Sequence, residues 1–477
     1  MSRVVQERAP SPRLASLVDR DRAQIPLLQL AWPLFVENIL RTSLMSVDTF
    51  MLSRYSENAV AAMSMVSQFS FFIQLLYMTV STGASILITQ NLGAGRGREA
   101  GLIGVASLTL VLGFSLVVSA AFALGAGPLI DLYDLDPEIA RYAHQFLALY
   151  GGLSFFMAVN IAQASILRAW GHTRDPMIVN VISLLITVTG NALCLFGLFG
   201  FPVIGVVGVA ASTVFSQVVG CALCFVALRR RTDIALPLAE ARRVPRRLYS
   251  AILAIGIPTV GENLSYNLSQ IAIMAMLSTL GTVPLATYGI LMALLRYVFM
   301  PGVSIGSAAQ LKVGYLVGAG RPAEAKRRVY RYFALASACT VAAVLPLQVF
   351  HGPVLGLFSG DPEILALAAS VLVVALIHEP GRNFNTVITP SLKGAGDVRF
   401  PVYIGMVSMW GIGVAGAWWL GIRHGWGLVG VWMAMAADEW VRGLIVLRRW
   451  KSDIWQSYTP QLADVAEASA VEIKEGL

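Results

Sequence analysis

GAGRGREA, residues 93–100, returns as GAGRPAEA at 318–325, an interval of 225 residues. The same interval relates PLFVEN (33–38) to PTVGEN (258–263) and DPEI (136–139) to a second DPEI (361–364). It also relates Asn160, Leu167, Gly171, Arg174 and Pro176 to Asn385, Leu392, Gly396, Arg399 and Pro401. One interval held over so much chain marks an internal duplication. GVVGV (205–209) matches GLVGV (427–431) at an interval of 222, so the second half has lost three residues by then.

Each copy is a membrane unit. The 477 residues are 56% hydrophobic and 13% charged, against about 25% charged in soluble domains. Apolar segments fall near 26–52, 58–84, 101–126, 138–163, 176–199, 203–228, 249–277, 284–311, 328–351, 363–388, 399–421 and 428–447. Each is long enough as a helix to cross ~30 Å of hydrocarbon. The expected fold is therefore an all-α integral membrane protein of twelve transmembrane helices in two pseudo-symmetric six-helix lobes. Six is even, so both halves enter from the same side and the pseudo-two-fold runs along the membrane normal. The expected division is a tail at 1–24, an N-lobe at 25–228, a connector at 229–249, a C-lobe at 250–450 and a tail at 451–477.

The net charge of +8 does not indicate nucleic acid, because the basic residues gather in alternate loops. Arg96 and Arg98, Arg168 and Arg174, Arg229–Arg231, Arg242–Arg247, Lys312–Arg331, Lys393 and Arg399, and Arg448–Lys451 mark one side. By the positive-inside rule that side and both termini are cytosolic, in a multi-pass protein of the cytoplasmic (inner) membrane. Residues 1–24 are Arg-rich and polar and read as a cytosolic tail, not a signal peptide. Cys194, Cys221, Cys224 and Cys339 all lie in apolar runs, where packing is the expected role.

The polar residues inside the spans carry the chemistry. The stretch AWPLFVENILRTSLMSVDTFML (31–52) places Glu37, Arg41 and Asp48 at i, i+4 and i+11, one stripe of a helix. A charge in hydrocarbon costs at least ~2.5 kcal/mol, so the stripe faces protein or water. Asp48 is a candidate to bind H⁺ or Na⁺. Glu37 is expected to pair with Arg41 one turn on. Glu262, its duplicate, meets Tyr266 instead of an arginine at the matching position, which leaves it the freer candidate to bind a proton. In the tenth helix Glu379, Arg382, Asn383 and Thr386 share a face, and Pro380 and Gly381 loosen the helix beside them. Arg296 is expected to pair with Glu262 or Glu379. Asp438, Glu439 and Arg442 read as interfacial or structural. His378 has no second His at ligand spacing, so no metal is expected. No Walker A stretch and no catalytic triad occurs, so neither a nucleotide cofactor nor an enzyme is expected.

The twin halves, Pro33, VDTFM around Asp48, QNLGAGRGREA, KVGYLVGAGRPAEAKR, LRAWGHTRDP and LKGAGDVRFP together resemble the multidrug and toxic compound extrusion (MATE) family of the MOP superfamily. The likeness spans roughly residues 25–450. It implies an antiporter that exports amphipathic, often cationic, drugs or metabolites by alternating access, coupled to H⁺ or Na⁺. The partners it implies are a small-molecule substrate and the lipid bilayer, with the protein a monomer. It also implies a coupling role for Asp48, fifteen residues after Pro33, with Asn191 and Thr187 as polar partners and Na⁺ possible at Asp48. Glu37, Glu262 and Glu379 are further coupling candidates, and Arg41, Asn160, Arg296, Arg382 and Asn385 candidates for the cavity or its polar network. Rival readings are a lipid-linked precursor flippase, an exporter of an anionic metabolite and, more distantly, an intramembrane enzyme.

Overall fold

The structure, a computed structural model, describes residues 22–133, 135–200 and 202–458, apart from the side chains of Met45 and Ser46. The tails expected at 1–24 and 451–477 lie for the most part outside these residues. The described chain is helical throughout. The first half contains α1 (Leu27–Tyr55), α2 (Glu57–Gly93), α3 (Gly97–Asp131), α4 (Pro137–Gly152 with Phe155–Ala169), α5 (Arg174–Phe196) and α6 (Val206–Arg230). The second contains α7 (Arg246–Ser278), α8 (Thr282–Gly318), α9 (Pro322–Val349), α10 (Pro362–Ala395), α11 (Arg399–Arg423) and α12 (Gly427–Lys451).

Among the described residues eight helices are long and apolar enough to cross a membrane, and nine when the two pieces of α4, bent by 47°, are taken as one span. The other three, α1, α7 and α12, are the helices that carry Glu37, Arg41 and Asp48, Glu262, and Asp438, Glu439 and Arg442. Their ionisable residues lower their hydropathy.

The repeated motifs are helix punctuation. Each DPEI starts a helix, with Pro137 or Pro362 at the first turn where its missing N–H costs nothing. Each GAGR ends one: α2 and α8 stop at Gly93 and Gly318, and Gly95 (φ +77°) and Gly320 (φ +69°) take the left-handed conformation that closes the turn. The loosening expected around Pro380 takes the form of a wide π turn at Phe384–Ile388 inside α10.

The lobes join where α2 packs on α7 and α8 and α1 packs on α8. A Cβ on Gly93 would lie 2.2 Å from the Tyr315 carbonyl oxygen, and one on Gly318 would lie 2.0 Å from that of Gln90. Gly93 and Gly318 are repeat equivalents, and so are Gln90 and Tyr315, so the two contacts exchange under the pseudo-two-fold. Small residues let the backbones approach this closely. Hydrogen bonds cross the same junction from Gln90 Nε2 to the Gly394 carbonyl (2.8 Å), Tyr315 Oη to the Ala169 carbonyl (2.6 Å), Lys312 Nζ to the Ala23 carbonyl (2.5 Å) and Asn38 Nδ2 to Ser304 Oγ (3.2 Å). All lie in the half of the bundle that carries the 231–245 connector.

Apolar packing follows the same division. One core runs through the N-lobe and across the junction, including Ala62, Val66, Ile252 and Leu311. A separate core of Leu277, Leu291, Leu372 and Trp432 fills the far half of the C-lobe. The far halves of the lobes thus belong to different cores.

Candidate functional site

In the N-lobe, α1 runs beside α5, and α5 beside α6. Asn191 Nδ2 of α5 donates to Asp48 Oδ1 at 2.9 Å, and Ser212 Oγ of α6 donates to Asn191 Oδ1. Asn191 and Ser212 are buried and Asp48 is half-buried. Thr187, one turn from Asn191, spends its hydroxyl on the Ser183 carbonyl (2.9 Å). Asn160 sits over Gly220, where a Cβ would meet its Nδ2 at 2.9 Å.

Glu37 does not pair with Arg41. Arg168 of α4 reaches it instead, Nη1 to Oε1 at 2.9 Å and to Oε2 at 3.2 Å. Arriving from another helix, the guanidinium sets one nitrogen between both carboxylate oxygens in a charge-assisted contact. Arg41 lies in the electrostatic neighbourhood of Glu37, Arg168 and Tyr150.

Nor is Glu262 free. Lys393 Nζ of α10 lies 2.5 Å from its Oε2. Arg296 pairs with neither Glu262 nor Glu379; it is exposed and makes no ion pair among the described residues. Glu379 is fully buried, with its Oε1 3.1 Å from His378 Nδ1 and 3.2 Å from Arg382 Nη1. Arg382 also stacks 4.6 Å over the Phe299 ring.

The acids of α12 are buried, not interfacial. Glu439 accepts from Arg442 at 2.8 Å and from Asn385 Nδ2 at 2.6 Å, with Arg382 Nε 3.8 Å away. Asp438 accepts from Ser408 and faces Arg442 at 3.5 Å. The network surrounds a small cavity lined also by Tyr266, Ser269 and Gln270. His378 Nε2, on this lining, is buried without a hydrogen-bond partner, as are Glu379 Oε2, Asn383 Nδ2, Asn385 Oδ1 and Arg442 Nε elsewhere in the network. An orphaned ring nitrogen on a small polar cavity suits a bound water. No cluster of three or more His, Cys, Asp or Glu of metal-site form occurs among the described residues.

With this geometry in place, a sequence model of the MatE family matches residues 33–193 and 258–419, one match in each lobe. The chain belongs to the MatE family. This MATE transporter is 36% identical over 429 residues to the "Uncharacterized transporter YisQ" of Bacillus subtilis, covering 90% of this chain and 94% of that one. It is 25% identical to the "Probable multidrug resistance protein NorM" of Thermotoga maritima, covering 90% and 92%. Its fold superposes on a Pyrococcus furiosus MOP superfamily transporter, described as having a binding pocket of reverse polarity, with a TM-score of 0.83, 18% identity and coverage of 95% and 100%. On the outward-facing conformation of a multidrug resistance MATE transporter the TM-score is 0.81, with 18% identity and coverage of 96% and 99%.

Two features of this MATE protein escaped the sequence reading. The partners of Glu37 and Glu262 lie on other helices, although the repeat held the clue: Arg168 and Lys393 are themselves 225 residues apart and both basic. The weight of α12 in the C-lobe network was also missed. Its signal was the spacing of Asp438, Glu439 and Arg442, which puts both acids within one turn of the arginine.

Proposed function

We propose that this MATE transporter is a monomeric secondary antiporter of the cytoplasmic membrane, expelling amphipathic organic compounds in exchange for inward H⁺ or Na⁺. The connector end is the cytosolic side, and the lobes are residues 25–228 and 250–450, joined by the 229–249 connector. The single observation that carries the reading is Asp48. The other carboxylates within the spans, Glu37, Glu262, Glu379, Asp438 and Glu439, each have a basic partner. Asp48 has only the Asn191 amide among the described residues. A carboxylate inside the membrane without a counter-cation is the group best placed to take up a cation and give it back.

Loading Asp48 would weaken its claim on Asn191 and, through Asn191, on Ser212, loosening α1 against α5 and α6. The lobes then exchange which side they open to, and cargo leaves. Closure at the connector end, with separate cores in the far halves, supports an outward-open starting state.

The test is dye efflux from proteoliposomes under separately imposed proton and sodium gradients, with parent and Asp48→Asn protein. Gradient-driven efflux by the parent and its loss in the variant are expected. Equal gradient-dependent efflux from both would remove Asp48 from the mechanism.

A further inference from the structure

Thr89 of α2 and Gly314 of α8 are repeat equivalents that touch at the junction: a Cβ on Gly314 would lie 2.2 Å from Thr89 Oγ1. Eighteen residues back along each helix, five turns and therefore the same face, stand Phe71 and Arg296. They too are repeat equivalents. The next pair along, Gln90 and Tyr315, leads back in the same way to Phe72 and Tyr297. Faces that are buried between the lobes at the connector end thus carry Phe71, Phe72, Arg296 and Tyr297 in the far half, where the lobes pack in separate cores. The three aromatics are 42%, 45% and 47% exposed there. Four large side chains flank the pseudo-two-fold in pairs, and one pair breaks the symmetry: phenyl on the N-lobe side, guanidinium on the C-lobe side.

Arg296, like Arg41, makes no ion pair or hydrogen bond among the described residues, whereas Arg168, Arg382 and Arg442 are held by carboxylates. An arginine inside a span faces a cavity or the bundle interior rather than lipid, and its face here leads down to Gly314. Its planar fork matches carboxylate, sulfonate or phosphate oxygens two at a time. Phe71 and Phe72 offer apolar ring surface against which a flat ring stacks.

Taking the cargo of the antiporter proposed above to pass between the far halves of the lobes, we infer that a cleft there binds an aromatic compound bearing an anionic group, with the ring against Phe71 and Phe72 and the negative group on Arg296. The site is asymmetric, so cargo enters in one orientation.

Three naphthalene probes that share a ring and differ in charge test this on the purified full chain: naphthalene sulfonate, naphthalenemethanol and naphthylmethylammonium. Binding is read by calorimetry. The parent is expected to bind the sulfonate about tenfold tighter than the alcohol, and the ammonium most weakly. Arg296→Gln should erase the difference between sulfonate and alcohol, Arg296→Lys should keep part of it, and Phe71→Ala should weaken all three probes together. A parent that prefers the ammonium, or an Arg296→Gln protein that keeps the sulfonate preference, overturns the inference. If the Gln variant does not fold, Arg296→Lys and Phe71→Ala decide the matter by the same pattern. Binding that follows the pattern with no gradient-driven movement of any probe would uphold this site while removing the transport reading.

Discussion

Glu262 is bonded to Lys393, 131 residues further on, as Glu37 is to Arg168 across the same interval. The two bridges are duplicates of one ancestral contact, tying the first helix of each lobe to the fourth. Both partners of the C-lobe pair are largely buried, so removing one strands the other's charge. Lys393→Met is expected to cost about 3 kcal/mol, and the double variant Glu262→Gln with Lys393→Met to recover most of it. Thermal unfolding in detergent reads both.

Asn191 is the only described group bonded to Asp48. Asn191→Ala should lower gradient-driven efflux about tenfold, as expected for losing a hydrogen bond to a charged group. Ser212→Ala acts one bond further away and should lower it by less. Initial efflux rates from proteoliposomes give the order, and a larger effect at Ser212 would contradict the chain as drawn.

In the C-lobe, Arg442 is shared by Asp438 and Glu439. Arg442→Met leaves two adjacent buried acids with Arg382 as the nearest cation, and a loss of about 3–5 kcal/mol is expected. Asp438→Asn keeps the Ser408 hydrogen bond and should cost much less. The comparison is again made by unfolding in detergent.

The junction glycines bear on motion more than on stability. Gly318→Ala puts a methyl where only 2.0 Å separates its position from the Gln90 carbonyl oxygen, so the lobes must part at the connector end. Cysteines introduced at Asn38 and Ser304, which are hydrogen-bonded across the junction, should cross-link readily in the parent background. Cross-linking should fall severalfold when Gly318→Ala is added.

Asp233, in the connector, is held below the usual carboxylate range. Burial pushes the other way, but the hydrogen bond from His172, with the charges of His172 and Arg22, outweighs it. A group depressed in the folded state contributes stability that is complete above its unfolded pKa of about 3.9 and disappears as pH falls through the folded value. The melting temperature of the parent should therefore drop more than that of Asp233→Asn on acidification below about pH 4, and the two should run parallel above it.

The duplication, the helical class and the Asp48–Asn191 pair could be reached from residue spacing and resemblance, because each rests on order along the chain. The bridges could not. Reading Glu37 against Arg41 and Glu262 against Tyr266 weighs only neighbours on one helix, while the true partners approach from α4 and α10. Asp438 and Glu439 read as interfacial or structural because two adjacent acids are costly inside a span, and their structural role depends on Arg442, Arg382, Asn385 and Ser408 converging on them in the middle of α12. Arg296 was expected in a pair because a charge inside a span usually has one. That it stands without a partner depends on how the far halves pack around it, a property of the assembled lobes.

Four close approaches between the lobes run through glycines and carbonyl oxygens: Gly93 to Tyr315, Gly318 to Gln90, Gly83 to Ile252 and Gly256 to Thr79. In each the nearest atom is a backbone oxygen. Substitution along the rest of α2 and α8 can therefore remodel what the cleft selects while the pivot stays as it is, which gives this architecture a way to diversify its cargo without relearning how to move.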